Sequence, residues 1–253
     1  VALTRFFKET LNRFFPEAKV FITDMNPEMA PVSYVCDGAF KVPRVTAPEY
    51  PEVLLRICEE NKVGMVIATI DTELQLLADL KESFRKKGIH IMVSNKEFIS
   101  LCRDKRNTIK FFESHGVRVP KEVDKYNPSF PLFAKPYDGS LSTNLHYIKS
   151  SDELTKEILE DEKLIFMEYI DKTVYKEITA DMYFGKDNSV KCIVPRERIE
   201  IRAGEINKGR TLKNEILDFL KKKLGYIDGC IGCICVQLFF HPETKDIVGI
   251  EIN

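Results

Sequence analysis

Two lysines lie at positions where they could bind an anion. Lys105 begins an amphipathic segment that ends at Gly116, and Lys135 ends an apolar run that starts at Pro131. A small polar turn, residues 139–144, follows Lys135 and contains one glycine and two serines. Turns of this composition point backbone N–H groups toward an anion, and a nearby lysine adds a point charge. The pattern is compatible with an anion-binding site, and the alternatives are a common strand-end Lys-Pro at Lys135 and a solvated helix face at Lys105.

A second group of residues could hold a metal ion. Glu251 and Asn253 are two residues apart in the strand-like run IVGIEIN, so they point to one face and Ile252 points to the other. The turn HPETKD separates this run from CVQLFF, and antiparallel pairing of the two runs can bring Gln237 beside Glu251. Carboxylate and carbonyl oxygens suit Mg²⁺. The spacing is therefore compatible with an oxygen-rich magnesium site, and an ordinary edge strand is the alternative.

Charged side chains also lie on the strands between these two groups. Glu168 is near the end of the run LIFMEYI. Arg196, Arg198 and Arg202 occupy even positions, so they share a face while the strand lasts. Arginine is well suited to bidentate binding of a carboxylate. A solvent-facing charged strand explains the same pattern, since Glu197 and other acidic residues alternate with the arginines.

The secondary-structure elements that must position these residues follow two different patterns along the chain. Up to residue 95, apolar strands such as 18–24, 63–70 and 89–94 alternate with helices such as 49–62, which predicts a parallel sheet covered on both faces. After residue 95, short strands with turn signals predict an antiparallel sheet packed with helices, including a helix over 212–225. The expected fold class is α/β followed by α+β.

Composition excludes several classes of protein. The 253 residues are 44% apolar and 30% charged, with a formal net charge of -1, whereas a nucleic-acid or membrane-surface binder would show a basic excess. The sequence contains no membrane-length apolar run and no signal peptide. Seven irregularly spaced cysteines fit reduced thiols in a cytoplasmic protein. A zinc site at Cys230, Cys233 and Cys235 is the minor alternative to buried strand cysteines.

Taken in order, these segments resemble the ATP-grasp fold, of the carbamoyl-phosphate synthase large-subunit type and related single-unit ligases. The motifs that carry the resemblance are Asp104-Lys105 with GVRVP, AKPYDGS, MEYI with Glu177, Val236-Gln237, and Glu251-Ile252-Asn253. The resemblance implies a Rossmann-like pre-ATP-grasp domain over 1–95. It also implies an ATP-grasp domain over 96–253, with a small lobe at about 115–170 and a C-terminal lobe at 171–253. We expect the full protein to extend at both ends.

The resemblance implies a role for each motif residue. Residues expected to bind ATP are Lys105 and Lys135 at the phosphates, Ser140 and Ser142 in the loop 139–144, Glu168, Tyr169 and Ile170 in the adenine hinge, and Glu177 at the ribose. Residues expected to hold Mg²⁺, with Mn²⁺ as an alternative ion, are Gln237, Glu251 and Asn253. Arg202 is the expected catalytic contact to the substrate anion. Lys208, in the predicted loop GEINKGR with Arg210, is expected to close over the site. Asn144 stands where the family often has glycine, and asparagine tolerates the left-handed backbone.

The activity implied by the resemblance is ATP-dependent ligation. The γ-phosphoryl group would pass to a carboxylate, and an amine would attack the resulting acyl phosphate. The expected partners are small-molecule carboxylate and amine substrates, with no nucleic acid or membrane, and a homodimer is a family-level expectation. An amino-acid carboxylate is one possible acceptor, as in a stand-alone amino-acid ligase. The alternatives are a carbamoyl-phosphate synthase-like subunit acting on bicarbonate or carbamate, and a non-catalytic ATP-binding domain. A nicotinamide-binding protein is a weaker alternative, because GxGxxG is absent.

Overall fold

A computed structural model of the chain describes residues 1–138, 143–202 and 205–253, with Glu205 described by its backbone only. The chain divides into two compact units, Val1–Met92 and Val93–Asn253. The predicted domain boundary lies close to this division, at residue 95. Within the described ranges, no helix has both the length and the apolar character needed to cross a membrane.

The first unit, all of whose residues are described, contains three α-helices and four short strands. The helices are α1 (Ala2–Phe14), α2 (Tyr50–Glu60) and α3 (Leu74–Arg85). The strands are β1 (Phe21–Asp24), β2 (Gly38–Lys41), β3 (Met65–Ile67) and β4 (His90–Met92). β1 pairs with β2 and β3 pairs with β4, both in parallel, as the alternation of strands and helices predicts.

The strands of the first unit are less covered than predicted. The expected strand 63–70 is reduced to the three residues of β3, and Met65 is 53% exposed. The four strands form two separate two-stranded sheets, so β3 pairs on one edge only. Helices supply the buried apolar surface instead: α2 buries Leu54, Ile57 and Cys58, which recur at the three- and four-residue spacing of one helix face.

The second unit contains the remaining elements of the described chain. Its helices are α4 (Lys96–Arg103), α5 (Lys105–Ser114), α6 (Lys156–Glu160) and α7 (Glu215–Leu224). Its strands are β5 (Leu132–Pro136), β6 (His146–Ile148), β7 (Leu164–Glu168), β8 (Lys176–Phe184), β9 (Val190–Arg202), β10 (Glu205–Thr211), β11 (Gly232–Phe240) and β12 (Ile247–Ile252). The predicted loop at 204–210 is wrong, because residues 205–211 pair with β9 as an antiparallel strand.

Five of these strands form an antiparallel sheet in the order β10-β9-β8-β11-β12. One face is the core of the unit: Ile178, Ala180 and Met182 of β8 are fully buried in the same cluster as Leu220 and Leu224 of α7. Full burial of each large apolar side chain stabilises the fold by about 1.5–3 kcal/mol. Because side chains alternate along a strand, the residues between these core positions must face the other side.

That other side is termed the polar sheet face. Its members occupy alternate positions on four neighbouring strands, with the last one just after β12, and they are Glu177, Thr179, Asp181, Arg196, Arg198, Gln237, Glu251 and Asn253. Register places Thr179 opposite both Gln237 and Arg196, and it places Gln237 opposite Glu251. The polar sheet face therefore brings residues from distant parts of the sequence into one row.

A smaller antiparallel sheet has the order β6-β5-β7. Leu132 and Ala134 of β5 pack with Ile148 of β6 and Phe166 of β7 in a separate core. Lys135 is the next residue along β5, so its side chain leaves this core on the opposite face. Lys135 and the polar sheet face are therefore the charged groups that the two sheets of the second unit can contribute to a site.

Candidate functional site

Three of the predicted site residues come together in the structure. The ammonium Nζ of Lys105 lies 3.9 Å from Oε2 of Glu251. Lys135 is only 7% exposed, and its charge interacts with both Glu251 and Lys105. Two cations from different elements therefore meet a carboxylate of the polar sheet face, and this trio forms the centre of the candidate site.

Burial changes the acid–base behaviour of Lys135. Loss of hydration disfavours the ammonium and lowers the pKa of Lys135 to about 8, while Glu251 opposes the shift and Lys105 adds to it. Glu251 offsets the effect of burial only in part, so additional negative charge beside this ammonium would be favourable. An anionic ligand such as a phosphate would supply that charge and raise the pKa again.

Local structure places Lys105 at the first turn of α5. The carboxylate of Asp104 caps the helix by accepting a hydrogen bond from the backbone N–H of Arg106, at 2.9 Å. The backbone N–H of Lys105 donates to the carbonyl of Tyr137, at 2.8 Å. The guanidinium of Arg106 stacks 3.7 Å from the centre of the Tyr137 ring. These contacts fix the start of α5 beside the end of β5, next to Lys135.

The predicted metal ligands lie on β11 and β12 and just after β12. Gln237 is opposite Glu251, and the amide of Asn253 lies 3.5 Å from Oε1 of Glu251. Ile252 points the other way, into the core, and is 2% exposed. One carboxylate and two amide side chains offer hard oxygen ligands, which fits Mg²⁺ and its usual reliance on phosphate and water for the remaining ligands.

The predicted phosphate loop is only partly described. Ser140 and Ser142 lie outside the described residues. Asn144, at the end of the predicted loop, adopts the left-handed conformation with φ of 54°, as expected for an asparagine in the place of glycine. Its side chain donates to Asp161 and contacts the ring of His146, at 3.1 and 2.7 Å.

The predicted hinge begins at Glu168, the last residue of β7. The backbone N–H of Glu168 donates to the carbonyl of Lys121, at 2.8 Å. The ring of Tyr169 stacks on Tyr147 with centroids 4.2 Å apart, and Ile170 is buried. One oxygen of the Glu168 carboxylate is already paired, since Nη2 of Arg118 lies 2.6 Å from Oε1.

Arg118 was not singled out from the sequence, yet it joins several elements at this hinge. Besides Glu168, it forms an ion pair with Asp246 in the turn between β11 and β12. The hydroxyl of Tyr175 accepts a hydrogen bond from Arg118 and donates to Asp246, at 3.2 and 2.7 Å. The network fastens the end of β7 to the β11–β12 turn. Arg118 stands in the GVRVP motif, but its spacing alone gives no signal for partners 50 and 128 residues away.

Glu177, the predicted ribose ligand, is held between two cations. Its Oε2 lies 3.2 Å from Nζ of Lys172, and its Oε1 lies 3.0 Å from Nε of Arg198. Lys172 belongs to the segment between the hinge and β8. A hydroxyl group of a ligand could reach this carboxylate by replacing the more exposed of the two cations, Lys172.

Arg202 and Lys208 are not brought to the centre of the site. Both pair with Glu200, at 2.8 and 2.7 Å, and both are largely exposed. Arg202 is six residues along β9 from Arg196, which corresponds to roughly 20 Å at about 3.3 Å per residue. Their predicted catalytic roles would therefore require the β9–β10 hairpin to move toward the site.

A second charged cluster lies closer to the metal ligands. Arg196 forms an ion pair with Asp181, with Nη2 and Oδ2 2.5 Å apart. Cys235 faces Asp181 across β8 and β11. Burial first, and then the charge of Asp181 and a hydrogen bond to it, raise the pKa of Cys235 to about 12, so this side chain stays a neutral thiol.

The cysteines do not assemble a zinc site among the described residues. All seven are free, and no cluster of three or more His, Cys, Asp or Glu residues suited to a metal occurs in the described ranges. Cys230 is buried beside Ser94, whereas Cys233 is exposed on β11. The interpretation of all three as buried strand cysteines is therefore only partly right, because buried Cys230 lies before β11 and Cys235 on β11 is half-buried.

Comparison with protein families identifies the class of protein. Residues 102–253 match the ATP-grasp domain family, and residues 1–92 match the PylC-like N-terminal domain family. The first match covers more than half of the chain, so the protein belongs to the ATP-grasp family. The observed fold is accordingly an ATP-grasp fold with an N-terminal domain. No curated protein matches the sequence significantly.

Solved structures show the same fold at low sequence identity. Biotin carboxylase from Campylobacter jejuni, in a β-γ-ATP complex, has a TM-score of 0.73 at 13% identity, over 99% of this chain and 62% of that one. The biotin carboxylase domain dimer of Hydrogenobacter thermophilus 2-oxoglutarate carboxylase, with MgADP and bicarbonate, has a TM-score of 0.70 at 14% identity, over 99% and 61%. N5-carboxyaminoimidazole synthetase from Staphylococcus aureus has a TM-score of 0.65 at 16% identity, over 92% and 63%. The chain spans about six-tenths of the length of each of these proteins.

Proposed function

We propose that this protein binds MgATP and transfers the γ-phosphoryl group to a carboxylate substrate, forming an acyl phosphate that an amine then attacks. The observation that carries the proposal is the meeting of Lys105, Lys135 and Glu251 at the polar sheet face. Membership of the ATP-grasp family supports it, as do two structural relatives solved with an adenine nucleotide. In this proposal residues 96–253 form the catalytic domain and residues 1–95 the domain that precedes it.

Lys105 and Lys135 would bind the phosphates and offset the negative charge on the transferring group. A substrate carboxylate oxygen attacks the γ-phosphorus, the bond to the bridging oxygen breaks, and ADP leaves. The amine then attacks the acyl carbon, phosphate leaves, and the amine gives up a proton. Gln237, Glu251 and Asn253 would hold Mg²⁺, which neutralises phosphate charge when bound. Ser140 and Ser142 of the loop 139–144 would bind the phosphates, residues 168–170 would form the adenine hinge, and Glu177 would bind the ribose.

Bicarbonate or carbamate is the alternative acceptor, as in a carbamoyl-phosphate synthase-like subunit. The relative from Hydrogenobacter thermophilus was solved with bicarbonate, and this observation supports bicarbonate as the alternative acceptor. That relative is also a dimer, and a homodimer of this protein in the cytoplasm remains a prediction. ADP release with bicarbonate as the sole acceptor separates the two acceptor classes.

Thermal unfolding with and without MgATP tests the proposal. A ligand that binds only the native state raises the unfolding midpoint. We expect a rise in the wild type that is lost in Lys135→Ala and Glu251→Ala, and that persists in the control Lys213→Ala, which changes an exposed lysine. No rise at millimolar MgATP in the wild type would refute nucleotide binding. Binding without acceptor-dependent ADP release would identify a non-catalytic domain.

A further inference from the structure

The polar sheet face contains buried polar atoms that the nucleotide site does not use. Oγ1 of Thr179 is buried and has no hydrogen-bond partner among the described residues, and the residue is 2% exposed. Nε of Arg196, directly opposite on β9, is in the same state within that part of the chain. A buried polar group without a hydrogen bond destabilises the native state. Two such groups facing each other suggest that a ligand or ordered water completes their hydrogen bonding.

These atoms lie beside the proposed metal ligands. Thr179 is the neighbour of Gln237 across β8 and β11, and Gln237 is the neighbour of Glu251. With strands about 4.8 Å apart, Arg196 lies roughly 10 Å from Gln237 along the same row. Asp181 is one step further along β8, opposite Cys235, whose backbone pairs with Asn253. A small molecule bound here would lie next to the transferring phosphoryl group.

The cluster presents one cation and one anion to that molecule. The guanidinium of Arg196 donates to Asp181 through Nη2, at 2.5 Å, and both side chains remain partly exposed, at 38% and 44%. Arginine has five N–H donors, so most of this guanidinium can still bind a carboxylate. The carboxylate of Asp181 can likewise accept from an ammonium group.

We propose that Asp181, Arg196 and Thr179 form the acceptor-substrate site and that this substrate is an amino acid. Its carboxylate binds Arg196 and its ammonium binds Asp181. The two charges of an amino acid are about as close together as the charges of Arg196 and Asp181. Thr179 supplies a buried hydroxyl beneath them. An amine held as ammonium by Asp181 has no free electron pair, so this amino acid provides the carboxylate that is phosphorylated, and the attacking amine comes from a second molecule.

This inference rests on the proposed function, and the experiment distinguishes their failures. ADP release is measured with MgATP and each of the twenty common amino acids, in L and D forms, beside matched carboxylic acids without the amine. Ammonia and glycine are supplied as attacking amines. We expect at least one amino acid to stimulate ADP release by about tenfold more than its matched acid. A difference of about tenfold in binding corresponds to the loss of one hydrogen bond to a charged group.

Variants then assign the effect to the cluster. Asp181→Asn is expected to raise the KM for the amino acid by about tenfold, with little change in the KM for ATP, and to reduce its advantage over the matched acid. Arg196→Lys is expected to raise the KM for both acceptors. The matched controls Asp187→Asn and Lys191→Met break a similar ion pair in the β8–β9 turn, and they should leave both KM values unchanged. Thermal unfolding without ligand confirms that each variant is folded.

Three results would overturn the inference. Equal stimulation by amino acids and matched acids would show that the ammonium is not recognised. An unchanged acceptor KM in folded Asp181→Asn and Arg196→Lys would reduce the pair to a structural cross-strand contact. If no amino acid stimulates ADP release while MgATP still raises the unfolding midpoint, the amino-acid substrate is refuted and nucleotide binding is not. Absence of the MgATP effect as well would refute the proposed function with it.

Discussion

Replacing Lys135 by methionine should stabilise the ligand-free protein while it abolishes nucleotide binding. Lys135 is 7% exposed, and burial is the main cause of its lowered pKa, about 8 compared with an ordinary value of 10.5. Each tenfold change in an ionisation equilibrium corresponds to about 1.4 kcal/mol, so the native state carries a cost of about 3 kcal/mol when this ammonium is charged. Methionine has a similar length and no charge.

The sign of the pH dependence follows from the lowered pKa. Between pH 8 and about 10.5 the unfolded chain holds a proton on this lysine that the native state has lost. Stability rises with pH wherever the unfolded state binds more protons. The Lys135 contribution is therefore unfavourable at pH 7 and disappears as the pH rises through this window. Other groups titrate there too, so the informative quantity is the difference between wild type and variant.

Urea unfolding in EDTA at pH 7, 8, 9 and 10 measures this difference. Lys135→Met should be more stable than the wild type by up to about 3 kcal/mol at pH 7, and the advantage should shrink steadily toward pH 10. The control Lys213→Met changes an exposed lysine and should give a small difference that does not vary with pH. A Lys135→Met protein that is less stable than the wild type, by the same amount at every pH, would refute the reasoning.

Three further predictions concern packing, the metal and the hinge. Gly249→Ala should destabilise the protein by about 1–3 kcal/mol, because a Cβ atom there would lie 2.8 Å from the ring of fully buried Phe112; an unchanged urea midpoint would contradict this. Glu251→Gln should raise the Mg²⁺ concentration needed for ATP binding by about tenfold or more, and a Mg²⁺ titration with identical midpoints would exclude its role as a ligand. Arg118→Gln removes two partly exposed ion pairs, so it should cost only about 1 kcal/mol. It should also weaken ATP binding measured by calorimetry, and unchanged affinity would separate the Arg118 network from the hinge.

The sequence alone was sufficient for the features that depend on local pattern. Apolar periodicity predicted α2 and α7 to within a few residues, because an amphipathic helix must repeat its buried positions every three or four residues. Alternation around the HPETKD turn predicted the β11–β12 hairpin, which places Gln237 opposite Glu251. The choice of Lys105 and Lys135 rested on the spacing of family motifs, and the structure does place both near Glu251.

Features that depend on contacts between distant segments required the tertiary structure. Lys135 is buried, and its charge interacts with Lys105 and Glu251 from distant segments, which no window of sequence encodes. The same holds for the row from Arg196 through Thr179 and Gln237 to Glu251, since strand order and register decide which residues meet. Local pattern even misjudged the segment 204–210, because a glycine-containing polar run can pair as an edge strand once β9 is beside it. Charge and spacing thus indicated which residues could do chemistry, whereas long-range strand pairing decided which of them share a site.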